Sequence, residues 1–463
     1  MTKPLDAPAD PARRFPPTDG RPRTARRGAW AWLPPVVPLV LLAAGSTAWA
    51  QDFIARPEVP GHPVPTAEFP EPRSGRLEYV DVAVLAAALA LAGYLGVVRR
   101  SRRGLLALAV FSLFWFGFRR EGCVCAIGSL QNVTLAAFDS TYAVSWPILA
   151  LFALPLVSTL FFGRTFCAAV CPLGAVQELV AVRPVKVPTW LEHALGLLAY
   201  VYLGLAVVFA ATGTAFVICE YDPFVGFFRL SGGVNMLVLG GSFLLVGVFV
   251  GRPYCRYLCP YGVVLRWLSR LSKWHVRIPP EECIKCGLCE DACPYGAIRE
   301  PTVDQSVAER RRGRRRLALL LVLVPVLVAV GAWLGRFLGP PFAQMDPTVR
   351  LAERVRLERT GEAEGTTDAS DAFYESGRPV VDLYQAAIER GGLFATAGTW
   401  LGLWIGLVVG GKLVHLSIRR RREEYVPDRG SCVSCGRCFW YCPGEQARLG
   451  LIQNAERGMM NDE

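Results

Sequence analysis

Residues 283–294 read CIKCGLCEDACP, and residues 432–443 read CVSCGRCFWYCP. Both follow the spacing C-x2-C-x2-C-x3-C-P, with three cysteines in one tight loop and a fourth shortly after it. This spacing is typical of bacterial 4Fe-4S sites, where the loop wraps three corners of a cluster and the fourth cysteine ligates another cluster. The sequence therefore predicts two 4Fe-4S clusters rather than a zinc site or disulfides.

The two runs are predicted to exchange their fourth ligands, as two-cluster proteins with this spacing do. One cluster is then held by Cys283, Cys286, Cys289 and Cys442. The other is held by Cys432, Cys435, Cys438 and Cys293. Because the runs lie far apart in the sequence, the exchange requires the chain to return to one place. We therefore expect a single ferredoxin-like domain assembled from two segments.

The rest of the 463-residue chain is strongly apolar, with 52% hydrophobic and only 19% charged residues. This composition is typical of a polytopic membrane protein with polar excursions. A spanning helix needs about 20 apolar residues, and the candidate runs are 29–50, 78–98, 104–118, 146–163, 191–212, 233–250, 317–338 and 395–416. We therefore expect an all-α polytopic membrane protein with about eight transmembrane helices.

Basic residues occur in blocks beside the apolar runs, at 99–103, 310–316 and 419–422. The net charge of +11 therefore indicates membrane topology rather than nucleic-acid binding. By the positive-inside rule, these blocks place both cysteine runs in the cytoplasm of a bacterial inner-membrane, multi-pass protein. Arg119 and Arg120 do not fit this arrangement. Residues 1–50 are expected to form a basic cytoplasmic N-terminus followed by a signal anchor or a cleaved signal peptide.

A second cysteine pattern occurs twice, as GRTFCAAVCP at 163–172 and GRPYCRYLCP at 251–260. Each copy ends a helical hairpin, so residues 78–260 are expected to form a transmembrane core of two repeats. Cysteines spaced i, i+4 share one helix face, and two such turns facing each other bring together Cys167, Cys171, Cys255 and Cys259. Four sulfurs are the ligand count of an iron–sulfur cluster; the alternative is a duplication of packed small residues. The proline marks a first turn or a break, and the arginine before each pair is expected to neutralise thiolate or cluster charge.

A weaker set of cysteines lies near the opposite ends of the hairpins: Cys123, Cys125 and Cys219. It is predicted to be a further metal or thiol site, or a disulfide on the oxidising side. Thiolates in the membrane would suit an additional iron–sulfur cluster or copper. No haem is expected, because the histidines lie at helix ends or near the interface and no CxxCH motif occurs.

The remaining organisation follows from the apolar runs. We expect an external Pro-rich segment at 51–77, a first ferredoxin segment at 261–316 and a transmembrane helix at 317–338. An external loop at 339–394, with a short helix near 347–359, precedes a transmembrane helix at 395–416. The second ferredoxin segment occupies 417–463.

The combination of CxxxCP hairpins at 167–172 and 255–260 with the cysteine runs at 283–294 and 432–443 resembles membrane polyferredoxins of the NosR/NapH type. The resemblance covers roughly residues 80–443. It implies electron transfer between the quinol pool or a cytoplasmic donor and periplasmic reductases, such as nitrous-oxide and nitrate reductases. Many NosR members carry a periplasmic flavin domain, for which 51–77 is too short. No flavin is therefore expected on this chain, and a flavin- or haem-containing partner subunit is expected to dock on 339–394.

Two functions remain open on these grounds. The chain is either an electron-transfer subunit, such as a component of a quinol dehydrogenase, or an assembly factor. An assembly factor would reduce copper or hand it over during maturation of a respiratory metalloenzyme, because thiolates suit Cu(I).

Overall fold

The computed structural model describes residues 75–122, 125–182, 184–230, 233–278, 283–302 and 305–448. Within these ranges the chain is almost entirely helical and contains one antiparallel pair of very short strands. The predicted span at 29–50 and the Pro-rich segment up to residue 74 lie outside the described residues.

Residues 75–270 form a series of helices that carries both GRxxCxxxCP repeats. The helices are α1 (Gly75–Gly93), α2 (Arg102–Ser112), α3 (Ala126–Phe138), α4 (Trp146–Phe162), α5 (Thr165–Ala169), α6 (Pro172–Val180), α7 (Thr189–Leu195), α8 (Leu198–Ala211), α9 (Val217–Glu220), α10 (Val225–Arg229), α11 (Val234–Phe249), α12 (Pro253–Tyr257) and α13 (Pro260–Arg270). Helices α1 and α2 continue as π-helical segments, Tyr94–Val98 and Leu113–Phe118.

Residues 283–448 contain the two cysteine runs and a long helical hairpin between them. The elements are α14 (Leu288–Asp291), β1 (Ile298–Arg299), α15 (Val307–Ala343), α16 (Pro347–Thr360), α17 (Asp368–Glu375), α18 (Val380–Ser417), β2 (Val426–Pro427), α19 (Arg437–Tyr441) and α20 (Pro443–Arg448).

Among the described residues, four helical segments are long and apolar enough to cross a membrane: Gly75–Val98, Thr189–Ala211, Val307–Ala343 and Val380–Ser417. The predicted spans at 146–163 and 233–250 form the shorter apolar helices α4 and α11. Helix α3 is a further short apolar helix that the sequence analysis did not predict. The expected membrane protein with a mostly helical fold is confirmed, while the total of about eight spans stays a prediction.

The helices of the first half pack around α4 and α8. Helices α1, α3 and α13 contact α4, and α8 contacts α3, α13 and α18. Their shared core contains Leu85, Leu151, Leu203 and Ala206, each nearly inaccessible to solvent. This core fixes the helix ends from which both cysteine-bearing turns extend.

Asp81 accounts for the two arginines that did not fit the charge pattern. It is fully buried in α1, and its Oδ1 lies 3.2 Å from Arg119 Nη1 while its Oδ2 lies 3.3 Å from Arg120 Nε. Trp115 Nε1 also donates to Asp81 Oδ1, at 3.0 Å. A buried charge is retained when it is paired, so these arginines serve packing at this helix end rather than topology.

The hairpin of α15 and α18 is held together by glycines. Gly331 and Gly335 of α15 face Gly398 and Gly402 of α18, with the backbones in direct contact. This is the close approach that GxxxG spacing permits between membrane helices. Helix α15 has 37 residues, which corresponds to about 55 Å of length, so it extends well past the roughly 30 Å apolar core of a bilayer.

The segment 339–394, predicted to be an external loop with a short helix, is largely helical, and its external position stays a prediction. Helices α15 and α18 extend into it, and α16 and α17 pack against α18 through Val355, Phe373 and Leu383. The predicted short helix near 347–359 is confirmed as α16. High charge along α16 masks its narrow apolar face, so the small core of this helical cap was not visible in the sequence.

The two cysteine-run segments meet in one small domain. Strand β1 pairs with β2 in antiparallel register, with Ile298 opposite Pro427 and Arg299 opposite Val426. Val276, Val433 and Phe439 belong to its buried core. The chain therefore returns, after the long hairpin, to the place where the first cysteine run lies.

The glycine interface predicts a position-specific loss of stability. We expect Gly402→Leu to lower the thermal unfolding midpoint of the purified protein in detergent, because a Cβ there collides with the Gly331 carbonyl. Overpacking of this kind costs about 1–3 kcal/mol. The matched control is Gly411→Leu on the same helix, where a Cβ meets nothing within 4 Å. Equal midpoints for the two variants would contradict the assignment of this interface.

Candidate functional site

The two cysteine loops have the same backbone conformation. Lys285 and Ser434, at equivalent positions, have φ angles of 55° and 56°, and the next-but-one residues Gly287 and Gly436 have φ angles of 78° and 74°. Left-handed conformations are uncommon outside glycine, so their repetition at matched positions identifies one loop design used twice. The short helices α14 and α19 begin directly after these glycines.

The structure places the fourth cysteine of each run beside the other run. Cys293 lies with Cys432, Cys435 and Cys438 around a small pocket. Cys442 lies near Cys286 and Cys289 of the first run, which also contains Cys283. This is the grouping that the exchange of fourth ligands requires.

The chemistry of these two groups fits 4Fe-4S clusters. Each group offers four thiols from two segments, and the pocket of the second group has an apolar wall that includes Val276, Ile298 and Val433. Among the described residues, no three or more His, Cys, Asp or Glu side chains form a site for a single metal ion. Four thiols beside an apolar pocket suit a cluster with a ligand at each corner.

Burial keeps these thiols protonated until metal binds. Burial, followed by the charges of neighbouring cysteines, raises the pKa of Cys289 to about 12. Burial also raises the pKa of Cys432 to about 12 and that of Cys435 to about 11. Because the ligand form of cysteine is the thiolate, binding of iron here must release protons.

The GRxxCxxxCP turns differ from the predicted single helical face. Cys167 lies in α5, which ends at Ala169, whereas Cys171 is the N-cap residue of α6. Cys255 and Cys259 are placed in the same way by α12 and α13. The proline at the start of each second helix lacks an N–H and cannot continue the preceding helix, so the first-turn interpretation is confirmed and the shared-face interpretation was wrong.

The two turns nevertheless bring their four cysteines together. Cys167, Cys255 and Cys259 all lie close enough to Cys171 for their charges to interact. The Gly262 N–H donates to Cys259 Sγ at 3.3 Å. Burial raises the pKa of Cys255 to about 11, although Arg252 opposes the rise. We call Cys167, Cys171, Cys255 and Cys259 the inner quartet.

The two arginines of the repeat cross-link the site. Arg252 is 1% exposed, and its backbone is in the left-handed region with φ of 51°. Its guanidinium donates to the carbonyls of Cys167 and Ala168 in the other repeat. Arg164 is 3% exposed and donates to the Gly430 carbonyl at 3.2 Å. Its Nη2 lies 3.8 Å from Cys167 Sγ. The buried Arg164 Nε has no hydrogen-bond partner among the described residues, which fits an anionic group held by the inner quartet.

Helix α6 supplies two functional residues that the sequence analysis missed. Gln177 is fully buried, donates to Cys255 Sγ at 3.2 Å and accepts from the Tyr254 N–H at 3.0 Å. It thereby ties the second repeat to the first. Its signal in the sequence was a polar residue inside the apolar run that follows the first CP.

Glu178, the next residue, connects the membrane core to both cysteine runs. Its carboxylate accepts from Arg252 Nε at 3.1 Å, Arg437 Nη2 at 2.9 Å and the Tyr295 hydroxyl at 2.6 Å. Burial raises the pKa of Glu178, but Arg252 and Arg437 outweigh burial and hold this pKa at about 2. Glu178 therefore remains a carboxylate at any physiological pH.

The inner quartet and the composite domain are contiguous. Cys167 packs against the core of the membrane half and also against the core of the two cysteine runs. The inner quartet thus lies directly beside the proposed cluster sites.

The outer cysteines are brought together only in part. Cys125 is the N-cap residue of α3, and its Sγ accepts from the Gly128 N–H at 3.2 Å. A Cβ on Gly128 would lie 3.2 Å from Cys219 Sγ and 3.5 Å from Cys125 Sγ, so these two sulfurs are neighbours. Cys123 lies outside the described residues. Tyr261, which is fully buried, lies within electrostatic range of both Cys125 and the inner quartet.

Models of known families match this chain in both cysteine regions. One family model, described as a 4Fe-4S binding domain, matches residues 144–197 and 233–279, which include both GRxxCxxxCP turns. A second 4Fe-4S binding domain model matches residues 276–299. Both types of cysteine motif thus fall within sequences typical of iron–sulfur proteins.

Curated relatives align over the same part of the chain. Protein NirI of Paracoccus denitrificans is 32% identical over 216 residues, which cover 43% of this chain and 31% of NirI. Regulatory protein NosR of Pseudomonas aeruginosa is 31% identical over 221 residues, covering 44% of this chain and 30% of NosR. The aligned region is therefore about a third of each of these relatives.

A shorter relative is matched over most of its length. Uncharacterized protein MJ0750 of Methanocaldococcus jannaschii is 30% identical over 201 residues, covering 41% of this chain and 81% of the relative. No solved structure matches this chain. With the motifs, the paired cysteine loops and these relatives together, the chain belongs to the membrane polyferredoxins of the NosR/NapH type.

Proposed function

We propose that this chain is a membrane electron-transfer subunit. The composite domain, from segments 261–316 and 417–463, holds two 4Fe-4S clusters, and the inner quartet holds a third redox centre. When bound, each such cluster takes up and releases one electron. The observation that carries the proposal is the position of Cys167, which packs against both the membrane core and the core of the cysteine runs.

The protein's own groups shape each proposed centre. Arg164 and Arg252 place positive charge beside the inner quartet, and Arg437 lies next to Cys438 in the second loop. Positive charge and N–H groups near thiolates stabilise the more negative, reduced form of a cluster. These residues are therefore proposed to raise the reduction potentials of the sites they border.

The proposed orientation places the composite domain in the cytoplasm of a bacterial inner membrane. All three basic blocks lie at its end of the molecule. Arg100 donates to Glu445 Oε2 at 2.7 Å, and the Arg422 N–H donates to Thr302 Oγ1 at 2.8 Å. The block at 310–316 begins α15. Support for this orientation comes from the positive-inside rule.

The proposed path leads from the inner quartet toward the outer cysteines. Tyr254 and Tyr261, both buried, lie near Cys259, and Tyr261 also lies within electrostatic range of Cys125. At the outer end, the helical cap of α16 and α17 offers a surface for a flavin- or haem-containing redox partner. The donor is proposed to be a cytoplasmic protein or a quinol.

The neighbouring sulfurs of Cys125 and Cys219 favour one second function. Two adjacent thiolates suit Cu(I), so a role in reducing copper or handing it over during maturation of a metalloenzyme would use this outer pair. Deletion of the gene separates the two functions. If added copper restores the activity of the partner enzyme in the deletion strain, the copper role is supported. If the partner enzyme is fully metallated there but receives no electrons, electron transfer is supported.

The exchange of fourth ligands is tested by paired alanine variants. Cys442→Ala is expected to remove the same electron paramagnetic resonance signal as Cys286→Ala, because both residues belong to the first group. Cys293→Ala is expected to remove the signal that Cys435→Ala removes. The spectra are recorded on anaerobically purified, dithionite-reduced protein. If Cys442→Ala matched Cys435→Ala instead, the exchange would be absent.

The inner quartet is tested by its iron content. Three 4Fe-4S clusters correspond to about twelve irons per chain, and Cys255→Ala with Cys259→Ala is expected to lower this to about eight. Iron and acid-labile sulfide are quantified on the full chain. The control is Cys125→Ala, which leaves the quartet intact and should keep the full content. A wild-type protein with only about eight irons would show that the quartet holds no cluster.

A further inference from the structure

A cavity of about 150 Å³ lies where the membrane core meets both cysteine-run segments. Its walls come from α7, α12, α13, α18 and the two segments around β1 and Ser431. It borders the inner quartet at Cys255 but extends away from it to His193 and Lys412. Of the described lining residues, only Cys255 is a predicted cluster ligand, so most of this space lies outside the proposed cluster site.

The lining of the cavity is strongly basic. Its positively charged residues are Arg164, Arg252, Arg256, Arg266, Arg299 and Lys412. The only carboxylate among its described lining residues is Glu192. Glu192 is already engaged, since Arg256 Nη2 lies 2.8 Å from its Oε2 and the Tyr257 hydroxyl donates to the same oxygen at 2.5 Å.

Several of these cations have no carboxylate partner. Arg252 is compensated by Glu178 at 3.1 Å, and Arg299 lies 3.9 Å from Asp428. Arg164 faces Cys167 of the inner quartet and is assigned to that site. In the part of the chain that the structure describes, Arg266 and Lys412 form no ion pair. The Arg266 side chain hydrogen-bonds with that of Tyr200, but its buried Nε has no hydrogen-bond partner there. Unpaired cations in a partly buried site are unfavourable unless an anion joins them.

We propose that this cavity binds a phosphate-bearing anion. Guanidinium groups recognise phosphate oxygens through several parallel hydrogen bonds, and more than one unpaired cation calls for more than one negative charge. The volume of about 150 Å³ is below the roughly 300–1,000 Å³ typical of drug-sized ligands. The site therefore fits one phosphate group or a small diphosphate rather than a whole nucleotide.

The phosphate can come from a lipid headgroup or from solution, and the chemistry of recognition is the same. Basic pockets between membrane helices are a known setting for acidic phospholipid headgroups. Trp190, next to the lining residue Thr189 on α7, is 71% exposed, as expected of a side chain at a membrane interface. The proposal is independent of electron transfer, because it concerns binding alone.

The test compares charge-matched variants of the full, cluster-loaded chain. The cavity variant combines Arg266→Gln with Lys412→Gln. The control combines Arg314→Gln with Arg315→Gln, which removes the same charge from exposed positions on α15. Pyrophosphate binding is measured by calorimetry in a neutral detergent. Cardiolipin retention is measured by native mass spectrometry after incorporation into phosphatidylcholine nanodiscs containing cardiolipin.

We expect the wild type and the control to bind at least one probe. The affinity of the cavity variant for that probe should be about ten-fold or more lower. Saturable pyrophosphate binding identifies a soluble phosphate ligand, and cardiolipin retention without it identifies a lipid headgroup. Lys412→Arg, which keeps the charge, should bind like the wild type and separates lost binding from misfolding. No binding of either probe by the wild type, or equal binding by the cavity variant, would overturn the proposal.

Discussion

The buried carboxylate of Glu178 is the interaction on which the assembly depends. It is placed by the first repeat and accepts hydrogen bonds from Arg252 of the second repeat, Tyr295 after the first cysteine run and Arg437 in the second. The carboxylate of Glu178 thus links four distant parts of the chain. Leaving a buried charge unpaired typically costs about 3–5 kcal/mol, so these parts are strongly favoured to stay together.

The consequence for function is proximity. The link through Glu178 and Arg252 holds the inner quartet against the core that carries both cysteine runs, with Cys167 in contact with each. Arg164 strengthens the junction by donating to the Gly430 carbonyl just before the second run. The proposed electron path across the membrane would use the cysteines at this junction, which anchoring a soluble ferredoxin would not require.

The sequence predicted the features that depend on short spacing. The two loops and the proline that starts a helix after Cys171 follow from local motifs. The exchange of Cys293 and Cys442 stays a prediction, and each of these cysteines lies beside the other run. The break between Cys167 and Cys171 was missed because i, i+4 spacing also fits one helix, and only the backbone distinguishes the two. The role of Glu178 was missed because its hydrogen-bond partners lie far away in the sequence. The GxxxG spacing around Gly331 and around Gly402 was visible in the sequence. The sequence did not show that these two helices pack against each other.

The proposed passage of electrons across the membrane through the inner quartet is tested most directly by vectorial electron transfer. The full chain is reconstituted in sealed proteoliposomes with ferricyanide inside, and dithionite is added to the outside face, where the composite domain is exposed. We expect trapped ferricyanide to be reduced by wild-type vesicles and not by vesicles containing Cys255→Ala with Cys259→Ala. Equal reduction by both proteins, above that of protein-free vesicles, would contradict it, as would no reduction by the cluster-loaded wild type.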